Sequence, residues 1–264
     1  MNYFDYLLLF IIFPSIVLAV FFAIRVWKSS SLTPIIQFGF SFSILALVAF
    51  IYTTPWDNYL VASGIWFYDP SKIIGIVYGY VPLEEYSFFI LETLLICLVA
   101  SLLIQFNYID LHFSYHSSSS SLKMVVLGLL SSIWILCLFS YLLNINSMKY
   151  MNLLFLWALP PIILQLIIGW DVLLHNKLKL TKIIFLATLY LSLTDAYAIY
   201  SGIWTINATY TIGLIFFVIP VEEILFFLIT VILILNGYIL ITYYVNLYFI
   251  NHRPIVHDEK LPNV

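Results

Sequence analysis

The sequence predicts an all-α integral membrane protein with about seven transmembrane helices, built from two parallel three-helix repeats joined by an extra helix. Three observations predict it: composition, long apolar runs, and an internal duplication. Of 264 residues, 64% are hydrophobic and 9% charged, and mean hydropathy is +1.07. A soluble domain carries roughly 25% charged residues. A chain this apolar needs lipid as solvent for much of its surface.

Runs able to cross a bilayer, about 20 residues each, lie at 3–26, 33–53, 73–105, 123–143, 151–174, 182–200 and 210–247. The run at 182–200 is the weakest, being short and carrying Asp195 near its end. The third and seventh are too long for one upright span. A helix of 33 residues extends about 50 Å, against roughly 30 Å of hydrocarbon. Two geometries fit: a tilted helix kinked at Pro82 or Pro220, or a stretch before each proline that folds back. Seven spans leave Lys72 and Lys149 on the face of the N-terminus. Arg25, Lys28, Lys123, Lys177, Lys179, Lys182, Arg253 and Lys260 fall on the other. The positive-inside rule then puts the N-terminus outside and the C-terminus in the cytoplasm of a multi-pass cell-membrane protein. The serine run at 117–121 reads as a flexible linker, and the polar segment after Tyr248 as a poorly ordered tail.

At a constant offset of 138, Asp57 meets Asp195, Ser63-Gly64-Ile65-Trp66 meets Ser201-Gly202-Ile203-Trp204, Gly75 meets Gly213, and Pro82 meets Pro220. Glu84-Glu85 then meets Glu222-Glu223, and Phe88-Phe89 meets Phe226-Phe227. The division is a first repeat at 1–106, a linker with the fourth span at 107–149, a second repeat at 150–250, and a tail at 251–264. Four spans separate equivalent helices, so the copies share one orientation. An axis along the membrane normal would relate them, with a shared site at their interface.

Acidic residues repeat along with apolar ones, and at bilayer depth they are costly and usually functional. An apolar surrounding favours the neutral, proton-bearing carboxyl, which a general acid in such a site requires. Consecutive helical residues lie about 100° apart, so one Glu of each pair can face a cavity while its neighbour points elsewhere. Glu85, Phe89 and Glu92 share a face, as do Glu223, Phe227 and Thr230. The structural alternative is that these carboxyls sit at the start of a helix that opens at each proline. Asp57 and Asp195 read as residues of the outer membrane edge, either solvated or positioning a proton. Trp66 and Trp204 read either as an interfacial belt or as ring faces turned toward a cation.

Other chemistries find little support. Cys97 and Cys137 make neither metal spacing nor a disulfide framework. His112 and His116 have HxxxH spacing, but no second box accompanies them. There is no GxGxxG, no aspartate-rich diphosphate motif, no lysine between Lys182 and Lys260 for a retinal Schiff base, and no base-reading basic patch for nucleic acid. The first basic residue is Arg25, so the N-terminal run reads as a retained span.

The duplicated Pro-x-Glu-Glu-x-x-Phe-Phe (VPLEEYSFF at 81–89, IPVEEILFF at 219–227), with D…SGIW upstream, resembles the lycopene cyclase domain family of the heterodimeric c/d-subunit type, in its fused two-repeat form. The resemblance covers both repeats. It implies an isomerase, non-redox and without cofactor or metal, that takes an apolar C40 polyene, lycopene, from the bilayer, with other carotenoid-pathway enzymes as possible partners. Its end groups would become ionone rings, in β-carotene or γ-carotene, by carboxylic-acid protonation, carbocation cyclisation and deprotonation. The acid/base candidates are Glu84 and Glu222 first, then Glu85 and Glu223. Substrate-lining candidates are Asp57, Asp195, Trp66, Trp204, Phe88, Phe89, Phe226 and Phe227. Two alternatives share the buried carboxyls: a carotenoid hydratase that admits water to the cation, and a proton-coupled transporter. A transporter of polar solutes needs a polar pathway, and these spans offer few polar residues. Ring type, one or two cyclised ends, and oligomeric state are not encoded legibly.

Overall fold

The computed structural model describes residues 1–29, 32–104 and 120–251, with side chains as far as 248. His112, His116, most of the serine run and the C-terminal tail fall outside the described residues. Among the described residues, seven helices are long and apolar enough to cross a membrane: α1 Tyr3–Ser29, α2 Thr33–Ala62, α3 Leu83–Leu103, α4 Ser120–Leu142, α5 Lys149–His175, α6 Lys177–Tyr200 and α7 Val221–Asn251. The all-α membrane class stands, and the weak run at 182–200 becomes a full helix beginning at Lys177.

The structure decides one open alternative and corrects one expectation. The third and seventh runs are neither long tilted helices nor kinked ones. Residues before each proline fold back as a two-stranded hairpin. The first hairpin pairs β2 (Val77–Tyr78) with β3 (Val81–Pro82); the second pairs β5 (Ile215–Phe216) with β6 (Ile219–Pro220). Two-residue hairpin loops favour positive φ, a role suited to glycine. Gly79 supplies it in the first (φ +67°), whereas Phe217 adopts φ +58° in the second. Pro82 is the extended N-cap of α3, which puts Glu84 and Glu85 in that helix's first turn. The N–H of Leu83 donates to the Ile76 carbonyl at 2.9 Å, and Val221 repeats this bond with Leu214.

The correction concerns the aspartates. Helix α2 runs through Pro55 to Ala62, well past the apolar run at 33–53. Asp57 and Asp195 therefore lie inside α2 and α6, at 0% and 1% exposure, and not on a solvated edge.

The halves meet through strands β1 (Trp66–Tyr68) and β4 (Trp204–Ile206), paired antiparallel. Phe67 stands opposite Thr205, its own counterpart at the 138 offset, so a local two-fold axis passes between them. Flanking bonds obey the same symmetry: Asp69 N–H donates to the Ile203 carbonyl at 3.0 Å, and Asn207 N–H to that of Ile65 at 2.9 Å. Lys72 Nζ crosses the seam to the carbonyls of Ser201 and Gly202, at the C-terminal end of α6, where a cation also suits the helix dipole. Beneath the ribbon an aromatic core stacks Trp56 on Trp157 at 4.5 Å, with Trp66 edge-on to both Trp56 and Phe226.

Candidate active site

The first turns of α3 and α7 face each other below the ribbon. Each contributes one glutamate inward and one outward. Glu84 accepts the backbone N–H of Ile74 at 2.5 Å, and Glu222 that of Ile212 at 2.7 Å. These carboxyls brace the chain just before each hairpin. Glu85 and Glu223, one residue and about 100° further round, line a central chamber with Tyr3, Trp66, Tyr68, Phe88, Asp195, Trp204, Phe226 and Phe227. The chamber has about 20 Å³ of free space, room for about one water.

The geometry thus separates the members of each pair. The residues ranked first in sequence, Glu84 and Glu222, are buried and bonded to loop backbone. Those ranked second stand at the chamber. Phe88 meets Phe227 edge-to-face at 6.3 Å inside it. Phe89 instead lines a neighbouring cavity. Trp66 is 6% exposed and Trp204 half-buried, and both are chamber walls.

The two halves of the site are bonded differently. In the first, the Tyr3 hydroxyl donates to Glu85 Oε2. Both Asp57 oxygens lack a hydrogen-bond partner among the described residues. In the second, Trp204 Nε1 donates to Asp195 Oδ1 at 2.9 Å, and no donor among the described residues reaches Glu223 Oε1. Tyr150, fully buried, stands beside Glu223 much as Tyr3 stands beside Glu85. Burial first, then the nearby Asp57 and Glu85, pushes the Tyr68 phenol well above its ordinary value, so it stays neutral. No Lys or Arg lines the chamber. Carboxyls gathered in apolar surroundings without a cation are tolerable only if the group retains protons.

Sequence reading missed Tyr3, Tyr68 and Tyr150. Tyr68 is matched by Ile206 at the 138 offset, and Tyr3 and Tyr150 fall upstream of the matched stretch, so no repeat signal marked any of them. Burial does: Tyr3 and Tyr150 are at 1% and 0% exposure. Glu92, noted only as sharing a face with Glu85, accepts a 2.9 Å hydrogen bond from Thr230, its own counterpart in the other half.

Fold and site define a class: a helical membrane protein with a small, aromatic, carboxyl-bearing chamber between two like halves. The family profile described as "Lycopene cyclase" matches residues 5–103 and 146–241. The chain is 35% identical over 198 residues to a lycopene beta-cyclase of Halobacterium salinarum, covering 75% of this chain and 80% of that protein. It is 30% identical to a bifunctional lycopene cyclase/phytoene synthase of Aspergillus oryzae, over 76% of this chain and 34% of that longer protein. The corresponding protein of Podospora anserina is 31% identical over 78% of this chain and 35% of its own length. No solved structure matches. The chain belongs to the lycopene cyclase family.

Proposed function

We propose that this protein cyclises the acyclic ends of lycopene, with Glu223 as the acid and Glu85 as the base. The observation that carries the proposal is the chamber itself. Two glutamates from equivalent positions face one dry space walled by aromatic rings. Glu223 gives its proton to the terminal double bond, and the tertiary carbon beyond becomes cationic. The next double bond attacks that carbon and closes a six-membered ring. Glu85 then removes a proton from the ring, which restores a double bond. Nothing is gained or lost, so the product is an isomer of the substrate. A proton passing from Glu85 back to Glu223 resets the pair.

The division of roles follows from the hydrogen bonds. A donated hydrogen bond favours the charged form of a carboxyl, and Glu85 receives one from Tyr3. Glu223 Oε1, without a donor, is free to present its proton to carbon. Trp66, Trp204 and Phe226 turn ring surface toward the chamber, where the π-quadrupole stabilises a passing cation. With room for about one water, the chamber admits little of the solvent that would trap the cation, which favours ring closure over hydration. Asp195 at the wall, and Asp57 close to Glu85, serve as proton reservoirs. Glu84 and Glu222 fix the hairpins over the chamber. The N-terminus lies outside the cell membrane and the chamber near that outer face. The ring made is the β type, as in the name of the Halobacterium relative.

The test is expression in cells that accumulate lycopene, with chromatography of the pigments. Monocyclic and dicyclic products are expected. Lycopene left unchanged beside correctly inserted protein would refute the proposal.

A further inference from the structure

One face of α7 lines three adjoining spaces. Phe226 borders the chamber and also a second cavity of about 110 Å³, whose walls include Glu92, Thr230 and Ile234. That cavity shares Leu45, Val48 and Gln165 with a third space, an open groove of about 650 Å³ between α2, α5 and α7. Its walls on α7 include Gly237, Ile241, Tyr244 and Tyr248. The spacing from Phe226 through Thr230, Ile234, Gly237, Ile241 and Tyr244 to Tyr248 is three or four residues throughout, a single helical stripe. At 1.5 Å per residue the stripe is about 33 Å long, close to the roughly 30 Å of a bilayer's hydrocarbon.

The walls suit a hydrocarbon except at Gln165, whose amide donates to the Leu233 carbonyl at 2.8 Å while its Oε1 has no partner among the described residues. Glu92 and Thr230 bond each other, and the Tyr52 hydroxyl donates to the Trp157 carbonyl at 2.7 Å. Gly237 lies along the groove, and a Cβ there would come within 2.6 Å of Leu45 Cδ2. The glycine lets Leu45 of α2 pack directly on α7 at the edge of the groove.

We infer that this trough holds the unreacted length of a linear, apolar isoprenoid chain. One end reaches the chamber by displacing the rings that now fill it, Phe226 between the two spaces first among them, because its free space is only about 20 Å³; the rest runs along α7 toward the opposite membrane face. The inference rests on the cyclisation reading above. It adds that the substrate stands upright in the bilayer and presents one end per visit. The second end reaches the chamber only after release and re-entry in the reverse sense, so a monocyclic product leaves the enzyme between turns. An ordinary membrane acyl chain would also fit the groove but would not reach the chamber, and the test separates the two.

Val48→Trp and Ile241→Trp narrow the trough at sites remote from the chamber. Val48 is 54% exposed, so the larger ring does not disturb the core. Leu47→Trp is the control: Leu47 is 60% exposed on the same helix and borders none of the three spaces. Forcing bulk into an apolar contact should raise KM for lycopene about tenfold or more in the two trough variants, with the control near wild type. Wild-type KM in both trough variants would overturn the inference. A second measurement needs no turnover: Ile241→Cys in vesicles is alkylated with a membrane-permeant maleimide, and the site is read by peptide mass spectrometry. Added lycopene should slow labelling several-fold relative to vesicles with their own acyl chains alone. Equal labelling with and without lycopene would overturn the trough. Protection in a protein that forms no ring would uphold the trough and sink the cyclisation reading.

Discussion

Replacing Glu223 by glutamine keeps the shape of the side chain and removes its transferable proton. Glu223 is 3% exposed in a chamber with room for about one water, so solvent cannot stand in as acid. A positioned general acid contributes roughly 10² to 10⁴ in rate, which is about 3–5.5 kcal/mol of barrier. Asp195 lines the same space and can donate from a poorer position, so the middle of that range, about a thousandfold, is expected. Glu222→Gln is the decisive comparison. Its new amide oxygen can still accept the Ile212 N–H, which Glu222 now does at 2.7 Å. Its new NH2 replaces Glu222 Oε2, a buried atom with no partner among the described residues, and an unsatisfied donor there costs about 1–3 kcal/mol of stability. Turnover per folded molecule should then fall by less than about tenfold. The assay is conversion of lycopene by purified protein in lipid vesicles, normalised to correctly folded protein by thermal unfolding. Equal loss of turnover in Glu222→Gln and Glu223→Gln would refute the assignment of the inward glutamates and return the role to the outward pair.

Tyr3→Phe deletes the hydroxyl that donates to Glu85. A hydrogen bond to a charged group is worth about 1.5–3 kcal/mol, so turnover should fall roughly 10- to 100-fold with KM little changed; a purely structural Tyr3 would leave turnover per folded molecule intact. Phe217→Gly relieves a left-handed bulky residue at φ +58°, a strain of about 1–2 kcal/mol offset in part by glycine's extra freedom when unfolded. Melting in detergent should rise by a few degrees with activity unchanged, and a fall would show that the exposed ring has an anchoring contact. In a single turnover by enzyme pre-equilibrated in D2O, each ring formed should carry one solvent-derived deuterium, read by mass spectrometry of the pigment; unlabelled rings from that first turnover would rule out protonation by an exchangeable carboxyl.

Much of the fold was legible because the bilayer enforces it. Apolar runs of sufficient length become helices when lipid leaves backbone groups no other partner, and the runs near residues 3, 123, 151 and 182 did so. Folding back before Pro82 and Pro220 was legible only as one of two geometries, and its hairpin form not at all, since residues 73–81 are as apolar as a span and the pairing depends on Gly79 and on a Phe217 held in an unfavourable conformation. The duplication gave both glutamate pairs. It could not rank them, because the choice between Glu84 and Glu85 is a rotation of about 100° fixed by the cap at Pro82. Asp57 fell outside the apolar run at 33–53, yet α2 continues past Pro55 to Ala62. The tyrosines beside the inward glutamates lay beyond the reach of any repeat signal.

The ribbon in which Phe67 faces Thr205 is an isologous contact: one surface pairs with its own copy. Such a seam closes equally well between two identical chains, two related chains, or two halves of one. Joining the halves removes the cost of finding a partner and lets each copy change alone. The mark of that freedom is already present where the copies touch, with Glu92 in one and Thr230 in the other sharing a single hydrogen bond. Two glutamates at that spot would crowd two carboxyls together, whereas a glutamate and a threonine complement each other. A pair of identical subunits could never arrive at that contact.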